Sequence, residues 1–151
     1  MRGDMRVRFV LLMGVLVSVC GVGSDALARI VGLQTQTVWD GMYTDEQAAR
    51  GEMLYQEWCA SCHAPDLSGG DLAPVLAGGE FVWNWSGLTV GQLFERLRIS
   101  MPQENPSSVT RAQKADILAF MLRANEFPVG EQELVGRSEI LDQFMFEAVR
   151  P

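Results

Sequence analysis

The sequence predicts an all-α domain: three main helices, long irregular loops between them, and a C-terminal extension that carries a short helix. Three observations support this. A Thr stands three residues before a Gln at Thr44/Gln47, Thr89/Gln92 and Thr110/Gln113, and each pair precedes an apolar run at helical spacing. In such a pair the Thr hydroxyl accepts from a first-turn N–H while the Gln reaches back to the capping residue, satisfying donors that a helix start leaves free. The stretch between the first two helices shows no alternating strand pattern. It is nonetheless rich in large apolar side chains, so it must wrap around something rather than hang free.

Residues 1–28 stand apart from the fold. "MRGDMRVR" supplies three arginines, "FVLLMGVLVSVCGVG" is apolar, and "ALA" (Ala26 to Ala28) offers small residues for cleavage. This is the pattern of a secretory signal. The apolar run falls short of the ~20 residues that a spanning helix needs, so no stable membrane span is expected in the mature form. Anchoring as a lipoprotein through Cys20 is a minor alternative, because Val19 is bulkier than the residue such sites prefer.

Residues 29–44 form an N-terminal segment, and the domain proper is expected over 45–128. The first helix runs from Asp45 to about Cys59, with Ala48, Met53, Leu54, Tyr55 and Trp58 available for burial. Gly51 in its middle costs about 1 kcal/mol relative to Ala, which implies that another backbone passes close. The second helix, "VGQLFERLRIS", aligns Leu93, Phe94 and Leu97 and stops before Met101 and Pro102. The third, Arg111 to Asn125, aligns Ile117, Phe120, Met121 and Ala124 and is ended by "NEFP". Between the first and second lies "APDLSGGDLAPVLAGGEFVWNWSG", which carries Leu67, Leu72, Leu76, Phe81, Trp83 and Trp85. So long a loop inside a compact domain argues for a function that organises it. In the extension, 129–151, Ser138 is placed to cap a short amphipathic helix with Ile140, Leu141, Phe144, Met145 and Ala148 inward.

The formal net charge is −7, and loss of the arginine-rich leader makes the remainder more acidic still. Nucleic-acid binding rests on Lys and Arg neutralising phosphates, so this class is excluded. The segment around Met101 is locally basic: Arg96, Arg98, Arg111 and Lys114 form a candidate patch for steering an acidic partner.

Once Cys20 leaves with the leader, two cysteines remain, Cys59 and Cys62, followed directly by His63, the chain's single histidine. A closed zinc site needs four ligands, and no further Cys or His remains. A thioredoxin-like dithiol sits at a helix N-terminus in a strand-helix-strand unit, whereas these cysteines fall at a helix end. The third reading is covalent haem attachment, for which Cys-x-x-Cys-His is the signature. Two sulfurs form thioethers with the vinyl groups while the adjacent imidazole reaches the iron. A second histidine ligand is then excluded, and the sixth-position candidates are Met42, Met53, Met101, Met121, Met145, Lys114 or water. Met101 stands out, since it follows a helix, precedes Pro102, and lies 38 residues beyond His63 in "ISMPQENPSSV". The prolines restrain that loop and reduce the entropy lost in holding a sulfur at iron.

In "CASCH", "APVLAG", "SMP" and "ILAFML", in that order over roughly Asp45 to Pro128, the chain resembles the class I cytochrome c family, bacterial exported type. The resemblance implies the cytochrome c-like fold with one covalently attached haem c. It implies that His63 is the proximal and Met101 the distal ligand of the haem iron, and that the Pro74 carbonyl accepts from the other nitrogen of His63. Leu76 would pack on the porphyrin, and Trp83 or Trp85, with Trp85 favoured, would donate to the propionates, plain core packing being the alternative for both. Gly51 and Phe120 look like the family's helix-crossing pair, with Tyr55 in its usual aromatic position. The expected function is a periplasmic electron carrier without catalytic residues, serving a periplasmic dehydrogenase, a terminal oxidase or another cytochrome. One rival is a cytochrome subunit or dedicated acceptor of a quinoprotein-type dehydrogenase, with the extension as docking element. Another is a haem enzyme or gas sensor with an open sixth site.

Overall fold

The computed structural model describes residues 36–71 and 73–151. The expected signal, its cleavage site, Cys20 and Leu72 lie outside the described residues. Among the described residues, strand β1 (Gln36–Thr37) and a 3-10 turn (Val38–Asp40) lead into α1 (Asp45–Trp58) and the single turn α2 (Ala60–His63). Then follow α3 (Gly79–Trp85), α4 (Val90–Ser100), a 3-10 turn (Pro106–Ser108), α5 (Arg111–Ala124), α6 (Ser138–Leu141) and strand β2 (Phe144–Met145). The three expected main helices are α1, α4 and α5, each within a residue of its expected ends.

Two of the three expected caps form in full. Thr89 Oγ1 accepts from Gln92 N at 3.1 Å while Gln92 Oε1 accepts from Thr89 N at 2.9 Å. Thr110 and Gln113 do the same at 3.3 and 2.9 Å. At α1 only half of the device exists: Thr44 Oγ1 accepts from Gln47 N at 3.1 Å, but the Gln47 side chain is turned elsewhere. Its amide is buried, donating to Asp116 Oδ1 at 3.1 Å and Leu134 O at 2.8 Å, and accepting from Leu134 N at 2.7 Å. An amide removed from water must be paired, and here the partners come from α5 and the C-terminal extension.

Helices α1 and α5 cross at Gly51. A Cβ there would overlap the Asp116 carbonyl, so the helix-interior glycine is required by the approach of two backbones. Tyr55 and Phe120 meet one turn further along, ring centroids 5.2 Å apart. Thus the crossing glycine faces backbone, and the Phe120 ring lies against Tyr55. Arg50 flanks the crossing with Asp116 and Glu133, and Arg123 with Asp45 and Glu52.

Helix α3 lies inside the stretch read from sequence as irregular loop. It buries Phe81, whose ring packs 6.4 Å from Trp85 and 6.0 Å from Phe146. Phe146 in turn lies 5.2 Å from Phe127, which lies 4.8 Å from Trp39. This aromatic chain joins the N-terminal segment, the residue beyond α5, the extension and α3.

The C-terminal extension departs from its expected form. Arg137, not Ser138, takes the capping position of α6, and the helix is one turn long. Ser138 Oγ donates instead to Glu95 Oε2 at 2.9 Å. Phe144 and Met145 leave the helix to pair in parallel with Gln36 and Thr37. The residues turned fully inward are Leu134, Leu141 and Phe146. Backbone bonds from Phe146 N to Leu88 O and from Gly87 N to Phe146 O, both 2.8 Å, tie this segment to the turn ahead of α4.

Candidate functional site

The site begins where α1 ends. Cys59 N donates to Tyr55 O at 2.8 Å, and Cys62 N and His63 N both return to Cys59 O, at 3.1 and 3.0 Å. That single turn puts Cys59, Cys62 and His63 on one short, hydrogen-bonded unit. The two cysteines form no disulfide with each other, Cys59 being half-buried and Cys62 exposed. Burial pushes the Cys59 thiol up to about 11, with neighbouring Lys114 opposing the rise.

His63 is buried, and its Nδ1 lies 2.9 Å from Pro74 O. A carbonyl can only accept, so Nδ1 donates and the lone pair is left on Nε2. The loop that delivers Pro74 is closed on the histidine by Gly69 N to His63 O at 2.9 Å and Leu76 N to Leu67 O at 2.8 Å. It turns sharply, with positive φ at Ala64 and Leu67 (both 63°) and at Gly69 (79°). Non-glycine residues in that region are uncommon and carry strain. Two in four positions show that the loop's shape is imposed by its surroundings. Tyr55 contributes to that, its buried hydroxyl donating to Ala64 O at 2.7 Å and His63 O at 3.3 Å.

Met101 closes α4, its N–H donating to Leu97 O at 3.2 Å, and its side chain is half-buried. Asn105 caps the following 3-10 turn through its side chain, accepting from Ser107 N at 3.1 Å. Of the other sixth-position candidates, Met42 and Met121 are core residues, Met53 is 68% exposed, and Met145 lies in β2. Lys114 is 2% exposed, with Nζ donating to Arg98 O at 2.8 Å and Pro106 O at 2.7 Å. A lysine held as a donating ammonium offers no lone pair to a metal.

Leu76 and Trp85 are half-buried and pack at the edge of the core, whereas Trp83 is 66% exposed. Asn125, unremarked in the sequence, holds the Leu76 loop. Its Nδ2 donates to Leu76 O at 3.0 Å, and its Oδ1 accepts from Gly78 N at 2.9 Å. Its position at the end of α5, in "NEFP", reads only as a helix stop. The expected basic patch is thinner than its composition suggests: Arg98 is paired with Glu95 and Lys114 is buried, leaving Arg96 and Arg111 exposed.

These residues fit a thioether-bound haem. Two unbridged thiols share a turn with an imidazole whose Nδ1 is engaged and whose Nε2 has no protein partner among the described residues. No group of three or more His, Cys, Asp or Glu side chains suited to a bare metal ion occurs among the described residues.

Residues 46–121 match the family model described as cytochrome c oxidase, cbb3-type, subunit III. Among solved structures, the chain is similar to the sulfane dehydrogenase SoxCD from Paracoccus pantotrophus. The identity is 24% over 72% of this chain, with a TM-score of 0.47, and the match spans 61% of that chain. A search of curated proteins returned no match. Matched over half its length by that family model, the chain belongs to the class I c-type cytochrome family.

Proposed function

We propose that this c-type cytochrome carries single electrons between redox proteins in the periplasm. Cys59 and Cys62 would hold one haem through thioethers, and His63 Nε2 and the Met101 thioether would ligate its iron. The observation that carries this reading is the 2.9 Å bond from His63 Nδ1 to Pro74 O. Such an outer contact sets the orientation and basicity of a ligating imidazole. When bound, the haem supplies a one-electron ferric/ferrous couple.

The chain's own residues define how that couple is used. His63 is held in one tautomer, and the Pro74 loop is pinned by Leu67, Gly69 and Asn125. A Met ligand opposite His raises the reduction potential. With His63 and Met101 both on the iron, no position would be left for oxygen or peroxide, which favours a carrier over an enzyme or gas sensor. Leu76 and Trp85 supply half-buried apolar surface at the edge of the core, suited to excluding water from the cofactor. The leader pattern in residues 1–28 supports export. The matching family is described as an oxidase subunit, which supports docking to a larger redox enzyme. A periplasmic dehydrogenase, a terminal oxidase or another cytochrome is the class of partner to seek by co-purification.

An optical spectrum of the purified protein in both redox states tests the reading directly. The expected result is a c-type spectrum that survives acid-acetone extraction, a weak red sulfur-to-iron band when oxidised, and no rapid carbon monoxide binding when reduced. Extractable haem would overturn the thioether assignment, and rapid carbon monoxide binding would overturn Met101 as ligand.

A further inference from the structure

Lys114 is the only lysine in the chain, every other cationic side chain apart from His63 being arginine. It stands on the first turn of α5 and is 2% exposed. No carboxylate pairs with it among the described residues; its partners are the carbonyls of Arg98 at 2.8 Å and Pro106 at 2.7 Å. Those two carbonyls lie three residues before Met101 and five residues after it.

The remaining hydrogen bonds of this segment are local. Met101 N donates to Leu97 O, Asn105 N to Pro102 O and Ser108 N to Asn105 O, at 3.1 to 3.2 Å. Among the described residues, only the Lys114 ammonium ties both ends of the segment to a different helix. A flexible stem carrying tetrahedrally disposed N–H donors can bridge two carbonyls from separate strands of chain, whereas a guanidinium presents a planar fork. Burial, and then the nearby Arg98 charge, draw the Lys114 pKa below the ordinary lysine value.

We propose that Lys114 is the positioning residue of the distal loop, clamping both ends of segment 98–106 to α5 and so fixing where Met101 stands. The proposal rests on Met101 as distal ligand, and its test separates the two. In the unaltered holoprotein, acylation of Lys114 by an amine reagent, followed by peptide mass mapping, is expected to run at least about tenfold slower than in the urea-unfolded protein. In Lys114→Met, amide exchange at Met101, Asn105 and Ser108 is expected to rise at least about tenfold relative to Gly69 and Leu76, and the red sulfur-to-iron band to weaken. Leu122→Ala, a core change on the same helix, serves as control: it should lower the melting temperature without altering that exchange ratio. Labelling as fast as in the unfolded chain, or an unchanged exchange ratio in Lys114→Met, would overturn the clamp. So would an equal change of the ratio in both variants. Absence of the red band from the unaltered protein, with Lys114 still protected, would instead overturn Met101 as the ligand that the clamp serves.

Discussion

Single side chains set the geometry around His63, and some of them can be changed without replacing a proposed haem ligand. Tyr55 is the clearest case, since its hydroxyl serves two consecutive carbonyls at the strained exit from the His63 turn. Tyr55→Phe leaves those carbonyls short of a donor, and a buried group left unsatisfied costs about 1–3 kcal/mol. Denaturant unfolding should therefore show a lower midpoint with the covalent haem spectrum unchanged. Met101→Ala acts on the proposed iron site itself: the red band is expected to vanish and the reduced protein to bind carbon monoxide rapidly. A variant that keeps the band would reassign the sixth ligand. Cys59 and Cys62 stand out in the sequence because, with His63, they form one contiguous motif. Tyr55 was legible only as an aromatic at a helix position, because its work is done by a hydroxyl reaching eight and nine residues along the chain.

Between elements, two contacts decide how the helices meet. Gly51→Ala would be expected to gain about 1 kcal/mol of helix propensity, but its methyl would collide with the Asp116 carbonyl at the α1/α5 crossing. Overpacking against backbone costs about 1–3 kcal/mol or more, so a net loss of stability is expected in a thermal melt. The second contact joins α4 to α6 through Glu95, whose carboxyl accepts from Arg98 and from Ser138. The Arg98 and then the Ser138 hydrogen bonds hold the Glu95 pKa at about 2, against an ordinary 4.5. A carboxylate depressed on folding stabilises above its unfolded pKa and loses that contribution as pH falls through the folded one. The melting-temperature gap between the native protein and Glu95→Gln should thus be present near neutrality, shrink below about pH 4.5 and close near pH 2. A gap constant across that range would show that Glu95 acts through packing alone. The helix caps that announced α4 and α5 were readable because capping is local; α3 was not, because its Phe81 is buried by Phe146 from the far end of the chain.

Taken whole, the molecule is one core to which the C-terminal extension belongs. Leu134, Leu141 and Phe146 are buried with the helical residues, Gln47 is satisfied by Leu134, and Trp39 Nε1 donates to Glu147 O at 3.0 Å. A segment so engaged serves the fold through these residues, while Val129, Val135 and Val149 of the same extension remain exposed. Phe146→Ala should cost about 3–5 kcal/mol, the usual range for emptying a buried aromatic site, and be visible as a large loss in thermal midpoint. A small loss would mean that the extension packs more loosely than its burial implies.

What the sequence by itself determined is local: the Cys59, Cys62 and His63 turn, the three principal helices with their Thr caps, and the need for a close backbone at Gly51. These follow from short-range spacing, which the chain carries wherever it goes. Only the tertiary structure decided that Gln47 serves the extension rather than its own cap, and that α3 forms within an apparent loop. It also decided that Lys114 bridges Arg98 and Pro106 instead of facing solvent. Each of those depends on partners distant along the chain, and burial away from water makes their pairing obligatory.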